Sequence, residues 1–246
     1  LNAAPSVPFL SVIIPAHNEA FTLAQTLSAL NTALSTIDRS SEVIVVNDAS
    51  TDRTAAIAHE GGARVIDVNL RQIASVRNAG ARVARGELFL FVDADTQVPP
   101  ETLRAALAAV DSGAIGGGAQ VHYDQKVGRF FHAVIVVFNA IYTGLLRWAA
   151  GCFIFARRGP FQAVGGFDET LFASEEVTLS RALKKQGSFV IVRPPVITSS
   201  RKIRTHSLWW PMIMLARMAV KGPKILRQRE GLELWYDGKR VDENVR

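Results

Sequence analysis

Four short runs rich in β-branched and aromatic residues, at 10–15, 42–47, 63–68 and 88–92, alternate with Ala- and Leu-rich stretches near 19–36, 51–60 and 71–84. The first kind reads as buried strand; the second carries apolar residues at helical spacing. Strand and helix in strict alternation make βαβ units, so the chain is expected in the α/β class, with a mostly parallel sheet and helices on both faces. Ligands of such sheets bind outside the carboxyl ends of the strands, and the polar residues of this half collect there. A length of 246 residues buries one full core, which favours a single domain over residues 1–200 followed by a basic helical extension over 201–246.

The second half is less regular. Pro99-Pro100 opens a helix to about Val110, Gly116-Gly117-Gly118 precedes a strand at 119–123, and a further strand is expected at 152–156. A Gly165-Gly166 turn, a helix over 175–185 and a strand at 189–192 follow, and Pro194-Pro195 then opens a basic tail. Residues 1–125 hold 8 Lys and Arg against 13 Asp and Glu, a net of −5, whereas the remainder of the chain carries +11. The basic half is the one to match with an anionic partner.

The single cysteine, Cys152, excludes an internal disulfide and a cysteine zinc site and is compatible with a reducing compartment. Residues 1–8 lack the basic and then apolar order of a secretory signal. Residues 130–146 are apolar, at the lower edge of a membrane span and flanked by Arg129 and Arg147. A lid or interfacial helix is the favoured reading there, ahead of a core helix or a true span. The expected location is cytoplasmic, peripheral at the inner face of the membrane.

The strand at 88–92 runs into Asp93-Ala94-Asp95. In an extended chain residues i and i+2 point the same way, so the two carboxylates can share one ligand. Oxygen-only pairs suit Mg2+ or Mn2+ held together with a phosphate-bearing substrate. The first strand ends in Pro15-Ala16-His17-Asn18-Glu19, where Asn18 and Glu19 either cap the next helix or face a nucleotide, Glu19 accepting from ribose hydroxyls. Ser50 or Asp52 can start the second helix. Asp48 is placed to accept the ring N–H of uracil, thymine or guanine.

Taken in order, Ile13-Ile14-Pro15-Ala16-His17-Asn18-Glu19, Val46-Asn47-Asp48-Ala49-Ser50-Thr51-Asp52, Arg77-Asn78-Ala79-Gly80 and Phe91-Val92-Asp93-Ala94-Asp95 resemble the family 2 glycosyltransferases with the GT-A fold. The resemblance continues through Gly151 to Arg157, Gly165 to Glu169 and Ser174-Glu175-Glu176, covering about residues 9–200. Each motif alone is weak; the ordered set is specific. It implies that Pro15, Ala16, Asn18 and Glu19 line base and ribose, that Asp48 binds the base, and that Arg77 contributes to the nucleotide pocket. It further implies Asp95 as metal ligand, with Asp93 beside it and closer to the nucleoside. The stretch before Arg77 departs from the family by lacking a glycine after Asn69; Arg71 fills that space, meets a phosphate or lies solvated.

The family's acidic pair reads Glu175-Glu176 here, which implies Glu176 as catalytic base. Ser174 as an N-cap, with acids favouring the helix dipole, is the structural alternative. Successive helical residues diverge by about 100°, so Glu175 is not expected to share the base's task. Arg201 or Arg204 is a candidate for the diphosphate and His206 for the metal shell, against a solvated basic loop. Trp209, Trp210, Arg217, Lys221, Lys224, Arg227 and Arg229 fit an interfacial helix on an anionic membrane, against a helix docked on the main domain.

The reading reached is an inverting, metal-dependent glycosyltransferase using Mn2+ or Mg2+ and a nucleoside-diphosphate sugar, with a glycan hydroxyl or a lipid phosphate as acceptor and no nucleic-acid partner. Rival classes are a sugar-nucleotide-binding protein without catalysis and a haloacid-dehalogenase-type phosphatase, whose nucleophile loop Asp93-Ala94-Asp95-Thr96 also resembles. Phosphatases of that type carry the loop near the N-terminus, whereas here the nucleotide-like motifs come first. Sugar nucleotidyltransferases need a Gly-rich opening that is missing after the first strand. Sugar choice depends on pocket shape, so these motifs leave the sugar and the base open.

Overall fold

The computed structural model describes residues 7–124, 136–137, 139–201 and 226–227. The first half alternates as its sequence dictates: β1 (Leu10–Ala16), α1 (Leu23–Leu34), β2 (Ser41–Asp48), α2 (Thr54–Glu60), β3 (Arg64–Val68), α3 (Ile73–Val83) and β4 (Leu88–Val92). After a two-residue β5 (Thr96–Gln97) come α4 (Pro100–Asp111), β6 (Gly116–Tyr123), a π-helical turn (Ala140–Leu145), β7 (Phe153–Arg157), α5 (Arg158–Ala163), α6 (Glu175–Lys184) and β8 (Phe189–Thr198).

One eight-stranded sheet runs in the order β3-β2-β1-β4-β7-β6-β8-β5. Strands β3, β2, β1 and β4 are mutually parallel, as are β6 and β8, while β7 lies antiparallel between β4 and β6 and β5 antiparallel on β8. Side chains alternate between the faces. Leu10, Val12 and Ile14 of β1 and Leu88, Leu90 and Val92 of β4 pack with α1 and α4, whereas Ile13, Phe89 and Phe91 pack with α3 and α6 on the other side. On this second face Phe91 meets Phe167 edge-on at 4.9 Å, and Phe161 lies 5.5 Å from Phe89 and 5.3 Å from Phe91. Each such ring contributes roughly 1.5–3 kcal/mol by leaving water.

Three elements depart from the sequence expectation. The Gly116-Gly117-Gly118 run belongs to β6 itself, because its neighbours approach too closely for side chains: a Cβ on Gly117 would stand 2.0 Å from the Val190 carbonyl oxygen. Strand β8 continues through Pro194-Pro195 to Thr198, since the register against β6 slips between Ala119 and Val121 and takes up the prolines, which cannot donate to a ladder. Asp93 to Asp95 is a turn, closed by the Thr96 N–H donating to the Asp93 carbonyl at 3.0 Å. The extended i, i+2 geometry expected for the two carboxylates therefore does not hold.

Among the described residues no helix is long and apolar enough to cross a membrane. Residues 130–135 and 138 of the apolar stretch lie outside the described residues, as do Arg204, His206, Trp209, Trp210 and most of the basic tail. Where the tail is described, the Phe172 N–H donates to the Leu226 carbonyl at 2.7 Å, a contact with the main domain.

Candidate active site

The carboxyl ends of β1, β2 and β4 meet at one edge of the sheet, and the loops leaving β1 and β2 are clasped to each other. The Asn18 side chain accepts the Thr51 N–H at 2.7 Å, and the Asn18 N–H donates to the Ser50 hydroxyl at 2.9 Å. The Glu19 and Ala20 amides donate to Thr54 and Asp52. Asn18 therefore serves the neighbouring loop rather than the helix after it; α1 begins only at Leu23. Asp52 does help to start α2, taking the Thr54 N–H at 2.9 Å. Pro15 and Ala16 are buried at the end of β1.

Asp48 ends β2 and accepts the backbone N–H groups of Leu70 at 2.7 Å and Arg71 at 2.9 Å. A carboxylate offers about four lone-pair positions, so capacity remains for a base N–H. Arg71 folds back with φ 51° and sets its guanidinium against the His17 ring, at 2.9 Å from Nδ1. Arg71 is thus half-buried against His17 rather than lying solvated. Glu19 is buried and paired with Arg201 at 2.7 Å, and the Thr22 hydroxyl donates to the same Oε2 at 3.0 Å. The first residue of the basic extension is thus inserted beneath the β1 loop rather than solvated.

Arg77, wholly buried on α3, organises the acidic centre. It donates to Asp93 at 2.9 Å, to Glu175 at 2.5 Å and to the Gly151 carbonyl at 2.9 Å, and its guanidinium lies 5.3 Å from the Phe167 ring centroid. Burial works against its charge, but Asp93 and Glu175 outweigh this and hold it protonated. The next motif residue, Asn78, donates to the Phe167 carbonyl and to Glu169, both at 2.9 Å, and accepts the Phe167 N–H at 3.0 Å. It thereby sets the Gly165-Gly166 turn, whose Gly166 has φ 75° and faces Asn78 Oδ1. Gly80 lets α3 lie on the sheet, since a Cβ there would stand 2.4 Å from Ile13 Cγ2.

Helix α6 starts after Ser174, which has φ 63° and makes no side-chain cap, so the capping-serine alternative is not what is found. Its first two residues do diverge. Glu175 turns to Arg77, whereas Glu176 accepts the Tyr142 O–H at 2.7 Å. Burial first, then the adjacent Glu175, raise the Glu176 carboxyl to about 7, and the Tyr142 bond acts in the opposite direction. Although densely surrounded, Glu176 keeps partial contact with solvent.

Asp95 is buried, its carbonyl held by the Ser199 N–H at 3.0 Å. Among the described residues no three His, Cys, Asp or Glu side chains form a metal cage. Mg2+ and Mn2+ bound with a diphosphate need only one or two carboxylates, because the phosphates complete the shell; Asp95 and Asp93 fit that donor set. Nearby Cys152 is no competing soft ligand. Burial, then Asp93 and Asp95, push its thiol well above the usual range, and burial above all raises Tyr123 to about 12.

Tyr142 and the bridging role of Arg77 were not foreseen from the sequence. Tyr142 lies 34 residues before its partner, and only its position as a phenol in an otherwise apolar stretch could have singled it out.

The family model described as "Glycosyl transferase family 2" matches residues 11–164. The chain is 33% identical over 115 residues to the undecaprenyl-phosphate 4-deoxy-4-formamido-L-arabinose transferase of Edwardsiella ictaluri, covering 44% of this chain and 35% of that protein. It is 28% identical over 228 residues to the probable glycosyltransferase YdaM of Bacillus subtilis, covering 83% and 53%. The chain thus spans about a third to a half of the length of these relatives. Among solved structures, the mannosyltransferase PcManGT from Pyrobaculum calidifontis, in complex with GDP-Man and Mn2+, superposes with a TM-score of 0.66 at 21% identity, over 94% of this chain and 67% of that one. S. aureus TarS 1-349 in complex with UDP-GlcNAc gives 0.63 at 18% identity, over 94% and 73%. The curled, mostly parallel sheet is that of the GT-A fold, and with the family model matching well over half of its length, this chain belongs to glycosyl transferase family 2.

Proposed function

We propose that this chain transfers a sugar from a nucleoside-diphosphate sugar to an acceptor with inversion at the anomeric carbon. The observation that carries the proposal is the Arg77 bridge between Asp93 and Glu175. One guanidinium spans the turn suited to a diphosphate and the helix start that bears Glu176. Asp48 would take the ring N–H of the base, and the clasped loop from Pro15 to Glu19 would wall the nucleoside, with Arg201 supporting it through Glu19. Asp95, with Asp93 beside it, would hold Mn2+ or Mg2+, which neutralises charge on the leaving diphosphate when bound. The acceptor oxygen attacks the anomeric carbon as the bond to the β-phosphate oxygen breaks. Glu176, raised to about 7, removes the proton of an acceptor hydroxyl.

A lipid-phosphate acceptor is the second reading, and a specific surface favours it. Val136, Val137, Ile141 and Leu145 are exposed, and Arg147, Arg181 and Lys184 crowd together just beyond them. Apolar and cationic groups side by side fit an anionic lipid surface, and a relative is named for undecaprenyl phosphate. An acceptor that is already anionic needs no base. Peripheral membrane contact belongs to the same reading.

A thermal-shift panel of UDP, GDP and dTDP sugars with and without Mn2+ tests the donor site. A donor at about 100 times its Kd stabilises by roughly 2.7 kcal/mol. A selective, Mn2+-dependent response followed by sugar transfer or donor hydrolysis supports the proposal; binding without turnover reduces the chain to a binding protein, and no response to any donor overturns it.

A further inference from the structure

Tyr142 occupies the π-helical turn Ala140–Leu145, a rare backbone form that recurs at functional sites. The turn is fastened to the sheet, since the Thr143 hydroxyl donates to the Asn139 carbonyl at 2.8 Å and the Asn139 amide to the Val121 carbonyl of β6 at 3.0 Å. The ring itself is braced. It meets Trp148 edge-on at 5.5 Å, the Trp148 N–H donates to the Tyr142 carbonyl at 3.0 Å, and the Arg181 guanidinium lies 4.6 Å over the indole. From this support the phenol reaches Glu176 Oε1 at 2.7 Å.

We propose that Tyr142 is the positioning residue of the base: it fixes Glu176 through Oε1 and so leaves Oε2 as the oxygen that receives the acceptor's proton. The proposal rests on the reading of Glu176 as base. Burial, then the Glu176 charge, keep the phenol protonated far above neutrality, so it is a permanent donor. Among the described residues, the charged and titratable groups facing Glu176 are Glu175 on its own helix, Arg77 from α3 and Tyr142 from the π-helical turn. Arg77 is committed to Asp93, Glu175 and Gly151. Glu175 opposes the ionisation of Glu176, whereas its own backbone N–H and the Arg77 charge favour it, and the phenol is the side-chain hydrogen bond that holds the carboxylate.

The test is a carbon-13 NMR titration of the donor-free protein labelled at glutamate, with the Glu176 resonance identified by its loss in Glu176→Gln. Tyr142→Phe is expected to move the Glu176 midpoint upward by about one unit, the size of one hydrogen bond to a carboxylate. The acid limb of kcat/KM should move with it, while the donor KM changes by less than about twofold. A midpoint and an acid limb that both stay in place overturn the proposal. Should Tyr142→Phe fail to fold, Trp148→Leu keeps the phenol but removes its brace; a smaller upward shift supports the proposal and an unmoved midpoint overturns it. Full turnover in Glu176→Gln would instead sink the reading of Glu176 as base, whatever the titration of Tyr142→Phe shows.

Discussion

Replacing Glu176 by Gln separates chemistry from stability. The folded protein holds the Glu176 proton up to about pH 7, whereas an unperturbed carboxyl releases it near 4.5. Between those values the folded state binds more protons than the unfolded chain, so this group makes the wild type less stable as pH rises through the window. The interval of about 2.5 units, at about 1.36 kcal/mol per unit, sets a ceiling of about 3 kcal/mol. Residual solvent contact at the carboxylate reduces the working figure to roughly 1–2 kcal/mol. Gln keeps an oxygen for the Tyr142 O–H and carries no charge, so it escapes this cost. Urea denaturation should show the variant near wild type at pH 5 and more stable by that amount at pH 8. With a hydroxyl acceptor the same variant should lose roughly 10²–10⁴ in turnover. An identical stability difference at both pH values would refute the linkage, and undiminished transfer to a hydroxyl would refute the catalytic role.

Arg77→Met leaves the buried Glu175 and the half-buried Asp93 without their shared countercharge and should cost roughly 3–5 kcal/mol by urea denaturation, with part recovered at pH 5. Gly80→Ala drives a methyl into Ile13 Cγ2 and Val46 Cγ2; a loss of roughly 1–3 kcal/mol is expected, with turnover per folded molecule nearly unchanged. Asp95→Asn should abolish the Mn2+-dependent part of the donor's thermal shift while a metal-free nucleotide response persists, and full turnover at saturating metal would exclude Asp95 as a ligand.

Strands β1 to β4 were legible because Leu10–Ala16 and Leu88–Val92 are nearly unbroken apolar runs that end in polar turns. The Gly116 run was not, because glycine has no intrinsic preference for a strand; the need for it comes from Val190 and Phe155 pressing on β6. Pro194-Pro195 hid the second half of β8 because nothing local announces a register slip on the partner strand. At the site, the Arg77, Asn78 and Gly80 motif could be located but its division of labour could not. The Arg77 side chain points to a carboxylate pair, the Asn78 side chain to a loop about 90 residues away, and Gly80, lacking a side chain, lets the helix lie on the sheet; those neighbours come together only in the folded chain. Tyr142 escaped for the same reason.

Helix α3 has a consequence for how the chain can be divided. Gln72, Ser75, Arg77 and Asn78 all reach forward to residues between 167 and 175. During synthesis the N-terminal βαβ layers would therefore emerge with Arg77 paired to Asp93 but not yet to Glu175, and with three polar side chains whose forward partners are not yet made. β4 would likewise present an edge that only the later, antiparallel β7 covers. A segment that reads as a self-sufficient nucleotide-binding module is thus half of an interlocked pair, and an excised fragment ending before β6 should expose that polar seam and aggregate rather than bind a nucleotide.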